Sequence, residues 1–478
     1  MRERNTNYYG VNNTVNRQIA FFATGTYSYK RRYTLTGTLR YEGSNRLGKA
    51  RSARWLPTWN VAAAWNMHEE EFFKKLQPAF SYLTLKASYS LTADAGPTWV
   101  TNSRVVINSY NPWRPSAGVA ESGLRISDLE NSSLTYEKKH ELNIGVDMGF
   151  LDNRINLAAD WYKRNNFDLI GWTSTQGAGG QVNRMGNVAS MKSHGFEFTL
   201  STKNIKNKKF EWSTDLIFGL SKTEVTELNT RSFMFSLISG NGFTREGYPH
   251  RGLFSIPFVG LDEQGFPMFE VSDKNNGKVL VDKNNYGALN FQEMEHLDFL
   301  KYEGPTDPTI TGSFGNIFSL KNWKLNVFVT YSAGNKVRLD PVFRSTYNDL
   351  DATPKDFKNR WRVPGDEKRT NVPVISARRH HQLYSNLNLG YNAYNYSTAR
   401  VADGGFIRMK EISLTYSLPG SLLEGKLLKS ASIKVQATNL FLIYSDRKLN
   451  GQDPEFFRSG GVSAPVPKQF TCTLRLGF

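Results

Sequence analysis

Few residues of this chain have the types and spacing that catalysis or metal binding requires. His380 and His381 are its only adjacent histidines, and they follow Arg378 and Arg379, whose positive charge disfavours a bound cation. The glycine-rich run at residues 177–180 lacks the lysine and the helix that a phosphate-binding loop needs. No hydrolase elbow, Walker loop, zinc-type Cys/His spacing or dinucleotide fingerprint occurs. We therefore expect no enzymatic activity and no cofactor.

Two acidic clusters are also poor candidates for metal ligands. Asp262 and Glu263 form a single acidic pair without a second cluster nearby, which is too few carboxylates for a calcium loop. Residues 69–71 are three consecutive glutamates in a predicted short helix over residues 69–76, and we interpret them as a solvated face. We expect no metal site.

Aromatic side chains are the best candidates for binding a solute. Aromatics make up 13% of the chain, and many lie in segments rich in Gly, Asn, Ser and Pro. Sugars stack on aromatic faces and form hydrogen bonds with neighbouring polar side chains. The candidates are Trp99, Trp113, Trp172, Tyr347, Tyr391, Tyr394 and Tyr396. Alternatively, these aromatics pack loops or form girdles at a lipid interface.

The elements that must position these residues are strands with one apolar and one polar face. At the end of the chain the apolar residues share one parity, and the polar residues share the other. The apolar set includes Phe470, Leu474, Leu476 and Phe478, together with the single cysteine, Cys472. A final strand that ends in an aromatic residue resembles the assembly signal of Gram-negative outer-membrane barrels. The alternative is a half-buried strand of a soluble β protein.

The same alternation recurs along the whole chain and predicts roughly 14–16 strands. Residues 21–29 and 33–41 predict one hairpin, residues 142–150 and 155–163 another, and a third turns at Lys321-Asn322. Between Met409 and Ile412 the apolar phase slips by one residue, which predicts a β-bulge. Short turns alternate with long segments near residues 92–133, 225–250, 262–305 and 335–400.

Composition fits strands that cross a lipid bilayer. The mean hydropathy is −0.49, and no apolar run reaches the ~18 residues of a membrane helix. A spanning strand needs only ~9–11 residues, of which every second one is apolar. The net charge of +17 is scattered through turns and loops without a basic helix, so we expect no nucleic acid. We favour attraction to anionic headgroups of outer-membrane lipid or to an anionic solute, and plain solubility is the alternative.

Several stretches, in order, resemble the C-terminal part of SusC/RagA-type TonB-dependent outer-membrane transporters. They include residues 33–40, 56–66, 83–92, 134–147 and 153–156, then 186–188 and 194–197. Arg360-Trp361 with Pro364-Gly365-Asp366-Glu367 is similar to an external-loop motif of that family, and residues 406–414, 437–441 and 453–455 complete the set.

The resemblance implies an all-β antiparallel transmembrane barrel, of which residues 1–478 form the C-terminal part of ~22 strands. It implies energised uptake of oligosaccharides or peptides across the cell outer membrane. The implied partners are a SusD-like surface lipoprotein that covers the barrel, the TonB complex, and the barrel assembly machinery. The long segments would be extracellular loops and the short turns periplasmic.

The chain departs from the family pattern at its beginning. The plug, the TonB-interacting box and the early strands have no counterpart among the matching stretches, and no apolar export signal follows Met1. We therefore expect this chain to be the C-terminal part of a longer or split gene product. By itself it should not close into a working transporter. Two alternatives remain open at this point: a passive porin-like channel and a secreted all-β glycan-binding protein.

Overall fold

The structure is a computed structural model in which one large sheet dominates. It describes residues 16–77, 79–96, 105–110, 123–175, 183–230, 232–272, 277–290, 297–343, 353–424, 427–458, 461–462 and 467–478. The large sheet contains thirteen strands. They are β1 (Gln18–Tyr29), β2 (Tyr33–Ser44), β3 (Trp55–Asn66), β4 (Phe80–Asp94), β5 (Glu137–Phe150), β6 (Ile155–Ser174), β7 (Asn183–Lys206), β8 (Phe210–Leu228), β9 (Ile310–Leu320), β10 (Trp323–Ala333), β11 (Phe406–Ser417), β12 (Ser430–Ser445) and β13 (Gln469–Gly477).

Each strand of this sheet pairs antiparallel with the next one along the chain, as in an up-and-down barrel wall. Among the described residues the order runs from β1 to β13, with those two strands at the edges. The predicted all-β antiparallel fold is confirmed. The large sheet has fewer strands than the 14–16 expected, because the alternating segments within residues 252–281 form short strands of separate small sheets.

The two faces of the sheet differ sharply in chemistry. Cross-strand registers align the apolar residues of one parity into continuous rows, such as Leu35, Ala63, Ala87 and Ile144. Leu35 is 53% exposed and Ile144 50% exposed, so this row does not lie in a protein core. The opposite face carries hydroxyls and charged groups. We call these the apolar face and the polar face; this arrangement is typical of a wall between lipid and a watery lumen.

Aromatic pairs line the apolar face beside the short turns. Paired residues at the ends of neighbouring strands are Tyr33 with Trp65, Phe80 with Phe150, Trp212 with Phe318, and Trp323 with Tyr416. Their ring centroids lie 4.6–6.1 Å apart. Such a row of aromatics is typical of the girdle at a lipid–water interface.

Glu70 serves this aromatic row and is the exception to the interpretation of residues 69–71 as a solvated face, since Glu69 and Glu71 are exposed. The Glu70 carboxylate accepts hydrogen bonds from the Tyr33 hydroxyl at 2.6 Å and the Trp65 indole at 3.3 Å, and it pairs with Arg32 at 3.0 Å. These contacts hold the pKa of Glu70 below its usual value, with the Tyr33 hydrogen bond the largest cause. Of the other two, Glu71 has the more exposed side chain.

All three predicted hairpins are confirmed. Strands β1 and β2 pair across Lys30–Arg32, β5 and β6 across residues 151–154, and β9 and β10 across Lys321-Asn322. The tight turns require left-handed backbone at several positions. Those with positive φ include Lys30, Arg31, Leu151, Asp152, Asn153 and Lys321.

The predicted β-bulge between Met409 and Ile412 is also confirmed. In the pairing of β11 with β10, Glu411 faces Phe328 and Met409 faces Val329, so Lys410 is the extra residue. The pairing of β11 with β12 breaks at the same place. The bulge keeps Met409 and Ile412 on the apolar face although they are three positions apart, an odd number.

Long connections gather at one end of the sheet. At the other end every connection between neighbouring strands is short, and the longest of them covers residues 67–79. The long ones cover residues 95–136, 229–309, 334–405 and 446–468. The predicted segments 225–250 and 262–305 are therefore parts of one connection between β8 and β9, because residues 252–261 do not join the large sheet.

The two longest connections fold together into what we call the loop unit, the described residues between 232 and 305 and between 336 and 403. Its small sheets pair Gly252–Ser255 with Lys301–Pro305, join Phe258–Leu261, Pro267–Ser272 and Lys278–Val281, and pair Lys336–Arg338 with Val401–Asp403. Its helices are Met234–Ile238, Arg378–Leu383 and Leu387–Asn395, with 3₁₀ turns Tyr286–Leu289, Lys355–Asn359, Asp366–Lys368 and Thr398–Arg400. Its core holds nineteen buried residues.

The remaining elements are small. They are the hairpin Val106–Tyr110 with Gly123–Asp128, the pair Phe457–Arg458 with Gly461–Val462, the helix Arg51–Arg54, and the 3₁₀ turns Met67–Glu69, Glu71–Lys75, Gly420–Leu422, Arg447–Leu449 and Pro454–Phe456. Within the described ranges, every helix falls short of the length and apolar character needed to cross a bilayer.

Candidate functional site

The polar face of the large sheet offers a continuous surface for a hydrated solute. Next to the first turn, hydroxyl pairs connect β1 and β2 at 3.2–3.3 Å: Thr24 with Thr38, Thr26 with Thr36, and Ser28 with Thr34. Farther along the sheet, ion pairs take over. Lys86 lies 2.8 Å from Asp147, Arg164 3.1 Å from Glu141, and Lys434 3.4 Å from Glu411. The paired charges suit a water-filled passage more than catalysis.

The loop unit caps the long-connection end, and a buried arginine holds it together. The Arg338 guanidinium donates hydrogen bonds to the backbone carbonyls of Ser397 at 2.8 Å, Ile238 at 3.2 Å and Phe254 at 2.6 Å. It thereby joins the two longest connections. Burial lowers the pKa of Arg338 to about 9, since desolvation disfavours the charged form.

The family-like external motif packs onto the acidic loop inside this unit. The Trp361 indole covers Gly265, whose φ is +83°, so a Cβ there would strike the ring. Trp361 also donates a hydrogen bond to Glu367 at 3.1 Å, which is the main reason that the pKa of Glu367 lies below its usual value. The Asp366 carboxylate accepts from the backbone of Arg362 and Val363, and its pKa is lowered as well. The motif is a local scaffold.

In the acidic loop, the Asp262 carboxylate forms an ion pair with Lys283. Lys283 Nζ lies 2.6 Å from Asp262 Oδ2, while Oδ1 accepts the backbone N–H groups of Gln264 and Phe266 at 2.9 Å. Both carboxylate oxygens are thus engaged by protein donors. Across the described residues, no group of three or more His, Cys, Asp or Glu side chains has the arrangement of a metal site.

The paired histidines take structural roles in the loop unit. His380 Nδ1 accepts the backbone N–H of Ala377 at 3.2 Å, and its ring packs edge-on to Phe266 at 5.1 Å. Burial, with Arg379 and His381 nearby, keeps the pKa of His380 below its usual value, which favours the neutral ring that this hydrogen bond requires. The glycine-rich run at 177–180 lies in a part of the chain that is not described.

Of the seven candidate solute-binding aromatics, the structure describes four. Trp99, Trp113 and Tyr347 lie outside the described residues. Trp172 lies in β6 and is 54% exposed, and Tyr396 is half-buried at the rim of the loop unit.

Tyr391 and Tyr394 belong instead to the loop-unit core. They are 5% and 1% exposed, and their rings pack against Phe343 with centroids 4.5 and 5.8 Å away. Burial raises the pKa of Tyr394 to about 12. These positions correct the assumption that the tyrosine-asparagine run is open to a solute: a short helix, Leu387–Asn395, turns both rings inward.

The last strand presents its predicted apolar set to the outside. Phe470, Leu474, Leu476 and Phe478 are 75%, 65%, 45% and 71% exposed, and Cys472 is exposed on the same face. Register with β12 places Leu474 beside Ile433 and Phe470 beside Ala437. Recognition of these side chains by the assembly machinery stays a prediction.

A cavity of about 370 Å³, lined by both polar and apolar residues, lies where the polar face meets the loop unit. It was not among the sequence candidates, because its residues come from five separate segments. Only the slip of phase at Lys410 marked one of them in advance. The charged and amide residues that line it are Asn241, Arg251, Asp307, Asn335, Lys336, Lys410 and Glu455.

Comparison with known proteins identifies a family. The profile of the family described as "TonB dependent receptor-like, beta-barrel" matches residues 3–365. Among curated proteins, TonB-dependent receptor P3 of Formosa agariphila is 24% identical over 91% of this chain and 42% of its own length. TonB-dependent receptor SusC of Bacteroides thetaiotaomicron is 25% identical over 98% of this chain and 44% of its own length.

Solved structures show the same fold. The RagAB peptide transporter matches with a TM-score of 0.76 at 22% identity, covering 97% of this chain and 48% of that chain. The "closed-closed" state of the RagAB peptide importer matches with a TM-score of 0.76 over 96% of this chain. The chain thus spans about half the length of the relatives that it matches.

Proposed function

Because the chain belongs to the TonB dependent receptor-like β-barrel family, we propose that it is the barrel part of a TonB-linked importer of oligosaccharides or peptides. The chain is an outer-membrane protein, and its recognition as SusC/RagA-like from sequence motifs is confirmed by the matches to SusC and RagAB. The uptake activity, the class of cargo and the partner proteins are what we propose beyond this family membership. Conduction through a polar lumen requires no covalent chemistry of these residues.

The single observation that carries the proposal is the opposite chemistry of the two faces. An exposed apolar row such as Leu35 and Ile144 is stable against hydrocarbon, while the ion pairs and hydroxyl pairs of the polar face need water or a polar cargo. A secreted glycan-binding protein would instead bury one face of each sheet in a core.

The loop unit supports the proposed SusD-like lipoprotein partner. It places a well-packed body at the long-connection end of the sheet, as a platform for a lid needs. The RagAB peptide importer, whose fold this chain shares, has 'closed-closed' and 'open-open' states. We propose that energy coupling acts through a plug that TonB contacts. None of the motifs that resemble the family in this chain belongs to that plug.

Uptake assays in the native host test the proposal. We expect loss of the gene, or of TonB, to abolish uptake of one class of labelled oligosaccharide or peptide. We also expect a surface lipoprotein to copurify with the chain from outer membranes. Uptake that needs the gene but persists without TonB would instead identify a passive channel.

A further inference from the structure

The cavity where the polar face meets the loop unit has the size and position of a solute subsite. Its floor is formed by the polar-face residues Thr311 of β9, Thr330 and Ser332 of β10, and Phe406 of β11, which the strand registers place side by side. Its walls come from the loop unit and from the connection after β12. The volume of about 370 Å³ lies within the ~300–1,000 Å³ common for small-molecule sites.

Two buried polar atoms at the cavity have no hydrogen-bond partner among the described residues. They are Ser332 Oγ and Asn335 Oδ1, on side chains that are 8% and 7% exposed. Buried polar groups are normally paired, and here the Asn335 amide oxygen lacks a donor and the Ser332 hydroxyl lacks a partner, so a ligand hydroxyl that both donates and accepts suits the two. Gly404 makes room for the Asn335 amide, since a Cβ at that position would overlap it.

Lys410 is the one charged lining residue whose side chain forms no ion pair or hydrogen bond with the described residues. Arg251 pairs with Asp307 at 2.8 Å, Lys336 with Asp403 at 3.2 Å, and Glu455 with Arg408 at 3.1 Å. Counting lining residues alone, three cations face two carboxylates. The cavity therefore has a free positive charge to offer.

The β-bulge places this lysine and Glu411 on the same face. Residue 410 continues the period-two phase of Phe406 and Arg408, which lie on the polar face, and Glu411 would face the other way in a regular strand. The extra residue lets two successive positions face one partner, Phe328, and re-aims the side chain.

We propose that this cavity binds a sugar unit that carries an acidic substituent. Neighbouring ring hydroxyls both donate and accept, which satisfies Asn335 Oδ1 and Ser332 Oγ together, and the acidic group pairs with Lys410. The inference rests on the proposed import function and names its cargo: acidic oligosaccharides, in preference to neutral ones or peptides.

Binding of two matched sugars to the protein purified from outer membranes tests this. D-glucuronate and D-glucose differ at C6, and saturation-transfer NMR measures both at millimolar affinity. We expect glucuronate to bind about tenfold more tightly, as one charge-assisted contact supplies. Lys410→Gln should abolish this preference, whereas Lys368→Gln, which removes an exposed loop charge, should retain it.

The polar atoms are tested separately. Ser332→Ala and Asn335→Leu should each weaken both sugars at least several-fold, and Ser332→Ala changes the packing very little. Equal affinity for the two sugars, or a preference that survives Lys410→Gln, overturns the acidic assignment. If neither sugar binds, the proposal that this cavity is a sugar site is overturned. This is the result expected when another segment of the protein fills the cavity. In that case TonB-dependent uptake of a different cargo would leave the proposed function standing.

Discussion

At the scale of single residues, Gly265 illustrates how the loop unit depends on close approach. Its φ of +83° already favours glycine, and the Trp361 ring lies directly over its Cα. Gly247 has nearly the same φ, +81°, but has nothing within 4 Å of the position of a Cβ. A comparison of substitutions at these two glycines therefore distinguishes the cost of backbone strain from the cost of steric overlap.

We expect Gly265→Ala to destabilise the loop unit more than Gly247→Ala. Both substitutions cost roughly 1–2 kcal/mol for left-handed backbone, and Gly265→Ala adds about 1–3 kcal/mol because the indole must move. Limited proteolysis and hydrogen exchange of residues 258–272 would measure the difference. Similar protection in the two variants would show that Trp361 does not constrain this turn.

The same scale explains why several candidates changed role. Tyr391 and Tyr394 resemble loop aromatics in sequence, but packing against Phe343 buries them. Glu70 looks like one of three solvated carboxylates, yet the hydrogen bonds from Tyr33 and Trp65 engage it. Phe343 and Tyr33 are distant in sequence from the residues that they contact, so local composition does not reveal these contacts.

At the scale of elements, the bulge in β11 sets which residues face the lumen. Without Lys410, either residues 406–409 or residues 411–417 would turn to the wrong face, because side chains alternate with a period of two. Phe406 and Arg408 would exchange places with Ile407 and Met409.

We therefore expect deletion of Lys410 to block assembly of the sheet, whereas Lys410→Gln should assemble normally. The measurement is the amount of protein that accumulates in outer membranes and shifts mobility on heating. Deletion of Lys368, in an exposed turn of the loop unit, is the matched control for loss of one residue. Normal assembly after deletion of Lys410 would show that a neighbouring residue can supply the bulge.

At the scale of the whole molecule, the two faces of the sheet must meet different solvents. Strand β2 carries two stacked aromatic pairs, Tyr33 with Trp65 and Tyr41 with Trp55, and the span from Tyr33 to Tyr41 is nine residues including both tyrosines. This length matches the ~9–11 residues with which a tilted strand crosses the hydrocarbon layer. Leu35 faces outward within this interval, and Thr36 faces the lumen, where its hydroxyl lies 3.2 Å from that of Thr26.

We expect Leu35→Arg to destabilise the membrane-inserted protein by roughly 2–4 kcal/mol, because it places a charge in hydrocarbon. Thr36→Arg adds the same charge one residue away, on the polar face, and should cost far less. Urea-induced unfolding from lipid vesicles would compare them. Equal losses would mean that the two faces do not differ in their exposure to lipid, contrary to the assignment.

The sequence by itself determined the large sheet. Period-two alternation, three tight turns and the slip at Lys410 are local signals, and they predict which residues pair and which face each side chain takes. The order of the motifs along the chain also indicated the family, which the family profile confirms.

Only the tertiary structure decided how the long connections fold. Trp361 meets Gly265, Arg338 reaches three distant carbonyls, and the cavity joins Ser332 and Asn335 to Lys410. These contacts join segments far apart in the chain and follow no period. They depend on which apolar side chains exclude water together, a property of packing that a linear pattern does not encode.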